Sequence, residues 1–413
     1  MLGVMKIWMK YLVGALIGVA LALVVPDADK GIRDSLAYLF ELSIRIGRYA
    51  LMPLILFSLP IAIFELNEDK EYWKAMGKTI LFLFLSVAVF TAIGVAAASI
   101  AKPARIPLLA DAGSGQAVPA IGSVFLSVFP QNPLAAILSG EFILPVYILA
   151  IFLGLAFSHD RSATKPAVQL FDSFSRIFYQ INSFIAEVLG IFLIAITAHN
   201  IFEFRSALKA DVYRSLLIFV GAEVLAMAII VIPAFIYFNC GKKNPYRFLF
   251  GLLAPSLAAL FSADAYFSLG TLMKHEKESL GVRRRMSTVI LPLAAVAGRA
   301  GTALVSASAF VVVLSSYSSL GIPLGSLLWI LAVSPLLALL IGSTPGRGAM
   351  TALITLCALY GRGFENGYLI LLPAALPLAA AGAFLDTIWT GTLTLVMAKN
   401  SGHVQNKEAR FYI

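Results

Sequence analysis

Charge is scarce in this chain. Only 13% of its 413 residues are Asp, Glu, Lys or Arg, against 60% that are hydrophobic. With a mean hydropathy of +0.90, so apolar a composition argues against a soluble domain and fits a polytopic membrane protein. Cysteine is nearly absent: Cys240 and Cys357 lie far apart on apolar segments. That speaks for packing residues rather than a disulfide or a metal pair. Histidine is rare too, with four in all. No Ser/His, Cys/His or metal-ligand constellation stands at membrane depth, so neither an enzyme nor a cofactor or bound metal is expected. Long polar stretches are missing too, and no soluble domain interrupts the spans.

A span needs about 20 apolar residues. Candidates cover 11–25, 44–63, 80–100, 142–157, 184–198, 216–238, 248–272, 289–314, 327–359 and 368–398. Lys6 and Lys10 precede the first, and no small-residue cleavage site follows it, which reads as a span and not a signal peptide. The formal net charge of +9 could suggest nucleic acid, but its placement suggests topology. With both termini in the cytoplasm and two segments re-entrant, the inner side gathers most Lys and Arg, including Lys70, Lys74, Lys78, Lys274, Lys277, Arg283, Arg284 and Arg285. This is the positive-inside bias of an inner or plasma membrane protein. Segments 159–165 and 274–285 read as inner connectors, 102–119 as an outer loop, and Arg45, Arg48 and Arg176 as side chains snorkelling from span ends.

The second half breaks its own spans. Segment 248–272 is interrupted by Ser262, Ala263 and Asp264. Segment 327–359 is broken by Gly342, Pro345, Gly346, Arg347 and Gly348. Helices stop at such residues, so each segment predicts a hairpin that enters and leaves by one face, its tip lining a polar cavity. An interrupted span follows each hairpin, at 298–302 and at 382–394. Two such corresponding units predict an inverted repeat with a mid-membrane site. Arg299 stands in the first interruption, between Gly298 and Gly301. A charge at that depth is expensive and persists only beside a cavity or a partner. It therefore marks a binding site, the alternative being an interhelical ion pair with no role in binding.

Seven motifs stand in order along the chain: Leu51-Met-Pro-Leu-Ile-Leu-Phe-Ser-Leu, Phe129-Pro-Gln-Asn-Pro, Ile151-Phe-Leu-Gly-Leu-Ala, Gly270-Thr-Leu, Gly301-Thr-Ala-Leu, Pro345-Gly-Arg-Gly and Phe384-Leu-Asp386. Together they resemble the dicarboxylate/amino acid:cation symporter family, which includes the excitatory amino acid transporters and bacterial proton/sodium glutamate symporters. The resemblance implies an all-helical protein of eight transmembrane helices and two re-entrant hairpins, an elevator-type carrier assembled as a homotrimer. Its static scaffold would comprise 1–73 (spans 1 and 2) and 103–209 (spans 4 and 5). The moving domain would comprise 74–102 (span 3) and 210–400, with 401–413 a cytoplasmic tail.

The departures from that family bear on coupling. Its Asn-Met-Asp-Gly-Thr stretch is Gly298-Arg299-Ala300-Gly301-Thr302 here. The Arg, Asn and second Asp of its last span become Trp389, Leu393 and Met397, and span 3 keeps only Ser86. Sodium needs several hard oxygen ligands, and these positions offer almost none, so sodium-independent transport is expected, proton-coupled or by exchange. By resemblance Asp386 holds a substrate amino group, which favours an amino acid, an acidic one like aspartate or glutamate, over a C4-dicarboxylate. Arg347 is the first choice for an acidic side chain, since guanidinium binds carboxylate bidentately. Its alternative is an exposed tip Arg. Arg299 would replace the missing cations, pairing with Asp386 or Asp264 in the empty site. Thr302, Thr390 and Ser268 supply hydroxyls, and Gly348 closes the second tip. Glu223 and, less so, Glu187 are proton-coupling candidates, either of which could be an ordinary buried hydrogen-bonded residue. The family's proton position is Ser306 here. A small-molecule amino acid or dicarboxylate and the lipid bilayer are the expected partners, with no nucleic acid. A non-transporting membrane receptor or sensor of the same fold is the alternative from another class.

Overall fold

A computed structural model describes residues 5–24, 30–107, 121–132, 137, 142–208, 211–318, 321–341 and 348–413. Helices account for nearly all of them. The one β-contact among the described residues is an isolated bridge between Val282 and Val404. Seven helices here are long and apolar enough to cross a membrane, eight if one pair bent by 56° counts as a span.

In chain order the helices are α1 (Ile7–Val24), α2 (Lys30–Arg48), α3 (Leu51–Glu68), α4 (Tyr72–Ala101), the short α5 (Ile121–Val128), α6 (Ile143–His159) and α7 (Arg161–Leu208). Next comes a span made of α8 (Arg214–Ala226), a π-helical turn (Met227–Val231) and α9 (Ile232–Asn239). The first hairpin is α10 (Pro245–Gly251) and α11 (Leu253–Ser262) going in, α12 (Ala265–Glu278) coming out. α13 (Arg284–Ala297) and α14 (Ala300–Tyr317) form one broken span. α15 (Leu324–Ile341) and α16 (Gly348–Tyr360) are the arms of the second hairpin. A 3-10 stretch (Gly367–Ala374) leads into α17 (Ala375–Asn400).

Local chemistry explains the ends. Asp160 starts α7 by accepting from the Ala163 N–H at 3.1 Å and the Ser162 hydroxyl at 3.0 Å, as N-terminal caps do. Those two donors hold its carboxyl below the usual carboxylate range. Ala263 turns the first tip in the left-handed region, and Asp264 caps α12 by accepting from Tyr266 N. α6 and α15 are apolar on every side, as helices sealed between protein and lipid are, whereas α2 and α7 carry charged residues and are amphipathic.

α1 lies along α7, α3 against α6, and α14 sits centrally between α4 and α17. The first hairpin touches α1, α2 and α7 on one side and α17 on the other. The tail is tied down: Arg283 N–H donates to His403 O at 2.9 Å, Gln405 N–H to Gly281 O at 2.8 Å, and His403 Nε2 meets Glu71 Oε2 at 2.6 Å.

Three sequence expectations change. The last span is not interrupted at 382–394, because α17 is one continuous helix there. Its glycines serve close packing: a Cβ at Gly382 would stand 3.4 Å from Thr302 and Ala349, and one at Gly391 would press into Leu252. The break falls earlier, in the 3-10 stretch that contains Pro373. Residues 274–276 are not a solvated connector either. They continue α12, with Lys274, His275 and Glu276 all buried. Arg48, finally, does not snorkel but pairs with Asp264 across 216 residues of sequence.

Candidate functional site

The site forms where α13 stops. Gly298 closes that helix by donating to Ala294 O at 2.8 Å, and Arg299 adopts a non-helical conformation (φ −73°, ψ 61°) before α14 begins. The first turn of α14 then presents unpaired N–H groups, as every helix start does. Asp386 of α17 accepts from Thr302 N at 3.0 Å and from the Thr302 hydroxyl at 2.6 Å. A carboxylate at a helix N-terminus is where the helix dipole favours negative charge. The approach depends on Gly301, since a Cβ there would lie 2.7 Å from Gly382 O and 2.8 Å from Asp386 N.

Arg299 is 3% exposed. Its Nε points at Ala295 O at 3.4 Å, its guanidinium carbon lies 4.6 Å from the centroid of the Tyr266 ring, and Nη2 has no hydrogen-bond partner among the described residues. No ion pair within 4 Å joins it to Asp386 or Asp264, contrary to the pairing expected from sequence. The Tyr266 face takes that place, a cation–π contact worth about 0.5–2 kcal/mol and more when desolvated. Gly348, the first residue of α16, lies against the guanidinium so closely that any Cβ would overlap Nη1. Both hairpins thus reach Arg299, one through Tyr266 and the other through Gly348.

The remaining candidates divide. Ser268 of α12 and Thr387 of α17 share a hydrogen bond at 2.9 Å. Thr390 is buried one turn beyond Asp386. Trp389, in the place of the family's arginine, packs between Phe90 and Phe235 with ring centroids 5.0 and 5.1 Å away. Its Nε1 has no partner among the described residues. Asp264 is buried, paired with Arg48 and engaged in capping α12. Glu223 is buried and accepts from Ser308 at 3.0 Å with both oxygens. Glu187 is half exposed and paired with buried Lys274 at 2.7 Å, which makes it a surface partner rather than an isolated buried acid. Arg347 lies outside the described residues.

Two groups escaped the sequence reading. Tyr266 gives no local sign of a role in the sequence, and only the fold shows its ring under Arg299. Glu276 sits in a run of charges that reads as solvent-facing. It is wholly buried, and neither carboxylate oxygen has a partner among the described residues.

Comparison with known proteins agrees with this architecture. The chain is 29% identical over 324 residues to the serine/threonine transporter SstT of Acinetobacter baylyi, covering 76% of this chain and 77% of that one. It is 27% identical over 230 residues to neutral amino acid transporter A of Homo sapiens, covering 55% of this chain and 42% of the human protein. It is 26% identical over 341 residues to neutral amino acid transporter B(0) of Oryctolagus cuniculus, 71% of this chain and 62% of that protein. The chain thus spans less than half of the human relative. Residues 6–399 match the model of the sodium:dicarboxylate symporter family, and with its multi-pass helical fold the chain belongs to that family of membrane transporters.

Proposed function

We propose that this protein is a secondary carrier for a small zwitterionic amino acid, working without sodium. The observation that carries the reading is the opposed pair at the helix break: Asp386, held by Thr302 and able to receive an ammonium, and Arg299, a buried guanidinium with an unused donor. A zwitterion offers one charge of each sign, and the two residues complement both. Arg299 supplies permanently the positive charge that bound cations supply elsewhere in the family. It balances Asp386 in the empty carrier and meets the substrate carboxylate in the loaded one.

An acidic substrate or a C4-dicarboxylate needs a second cation. The position where the family places it is Trp389, wedged between Phe90 and Phe235. The relatives described as serine/threonine and neutral amino acid transporters support the same choice. Residues 74–102 and 210–400 move against a scaffold of 1–73 and 103–209 within a homotrimer, and both termini face the cytoplasm. Where uptake is proton-driven, Glu223 is the carrier of the proton.

Counterflow in proteoliposomes tests the reading. Serine or threonine inside should drive accumulation of labelled serine, and succinate should not. Exchange of succinate with no exchange of serine would make the protein a dicarboxylate carrier. No exchange of any of these, with a thermal shift on adding one of them, would make it a sensor.

A further inference from the structure

A cavity of about 360 Å³ opens between α3, α7 and α13, away from the Asp386 site. Arg176, Arg283, Arg284 and Arg285 line it together with Glu65 and Asp172. The positive-inside bias explains why arginines gather on this side, but it requires no concave site and no partial burial. Here the guanidinium side chains of Arg284 and Arg285 are only 28% and 21% exposed. Asp172 holds Arg176 at 3.0 Å and Arg284 at 3.6 Å, and Arg284 also reaches Ser175. Asp69, outside the cavity, holds Arg285 at 2.5 Å. Four guanidiniums thus face three carboxylates, and the excess is one positive charge. The side chain of Arg283 has no partner among the described residues.

We propose that this cavity binds the phosphodiester of an anionic phospholipid headgroup. A phosphodiester carries one negative charge, which matches the excess, and forked guanidinium donors suit its oxygens. Basic pockets on the cytoplasmic side of helix bundles are built for such headgroups. A lipid is favoured over a free phosphate ester by the surroundings. Ile61 and Ala62 form an apolar wall, and α7 exposes Leu170, Phe174 and Ile177 at the same level. The site joins two scaffold helices to α13 of the moving domain, so an occupied headgroup bridges the two parts. The binding claim rests on the membrane location and on the orientation and domain division proposed above, not on the substrate assigned there.

Thermal unfolding of the purified full-length protein tests it with four probes: short-chain phosphatidylglycerol, short-chain phosphatidylcholine, glycerol phosphate and inorganic phosphate. Phosphatidylglycerol should stabilise the protein saturably, and Arg176→Gln/Arg283→Gln should weaken that binding at least tenfold. Arg176→Lys/Arg283→Lys should restore most of it. Equal stabilisation by phosphatidylcholine would overturn recognition of the charge, and equal stabilisation by either soluble phosphate would overturn the lipid. Unchanged phosphatidylglycerol affinity in the glutamine variant would overturn the site. The probe comparison on the unaltered protein stands even if a variant fails to fold. Because unfolding and not transport is read, failure here is separable from failure of the carrier reading.

Discussion

The guanidinium of Arg299 rests on the face of the Tyr266 ring, 4.6 Å from its centroid, with one nitrogen left without a partner among the described residues. A single break in one span and a single aromatic in the first hairpin thereby hold a full positive charge inside the protein. Replacing Tyr266 by Leu removes the ring and keeps the bulk. It should weaken substrate binding several-fold, in line with a cation–π contribution of about 1–2 kcal/mol, while Tyr266→Phe, which keeps the ring, should weaken it less. Equilibrium binding of labelled substrate distinguishes the two variants.

Asp386→Asn keeps the shape of the side chain and removes its charge. Truncating one partner of a buried charge pair costs about 2–5 kcal/mol, so amino acid affinity should fall at least thirtyfold. Binding measured by calorimetry or thermal shift reads this directly. Unchanged affinity would remove the assignment of Asp386 to the ammonium.

Glu223 receives both its hydrogen bonds from the Ser308 hydroxyl. Glu223→Gln should abolish accumulation driven by an imposed pH gradient and leave serine–serine exchange intact. Loss of both activities would show a structural role, and retention of both would clear Glu223 of proton carriage.

Arg48 and Asp264 join α2 to the tip of the first hairpin, with side chains 22% and 6% exposed. Breaking a buried pair from one side costs about 3–5 kcal/mol. Asp264→Asn should therefore lower the unfolding temperature by several degrees. Adding Arg48→Gln should cost less than the sum of the two single changes, which a double-mutant cycle would reveal.

Gly190 lets α7 approach α1 so closely that a Cβ would stand 2.8 Å from the Lys10 carbonyl oxygen. Gly190→Ala should destabilise by about 1–3 kcal/mol, as overpacking does. Gly77 on α4 has open space around its Cβ position. Gly77→Ala should be neutral or stabilising by up to about 1 kcal/mol, the helix preference for Ala. Thermal unfolding of both variants makes the comparison.

Much of the fold was legible because it rests on local signals. Apolar runs marked the spans, Ser262, Ala263 and Asp264 marked the first tip, and Gly298 with Arg299 marked the broken span. Glycine misled at Gly382 and Gly391, because the same residue breaks a helix or admits a neighbour, and only the neighbour decides. Charge misled where pairing is long-range. The partnership of Arg48 with Asp264, of Glu187 with Lys274, and of Arg299 with Tyr266 cannot be read from spacing along the chain. The burial of Glu276 was hidden in the same way, since its flanking Lys and Glu imitate a solvated face.

On the proposed reading, Arg299 supplies the charge that cations supply in other members of the family. Initial uptake of labelled serine into proteoliposomes, at fixed pH and with sodium replaced fully by choline, is the decisive measurement. Equal rates in the two salts, lost in Arg299→Met, are the expected result. Uptake that requires sodium at fixed pH would contradict the claim.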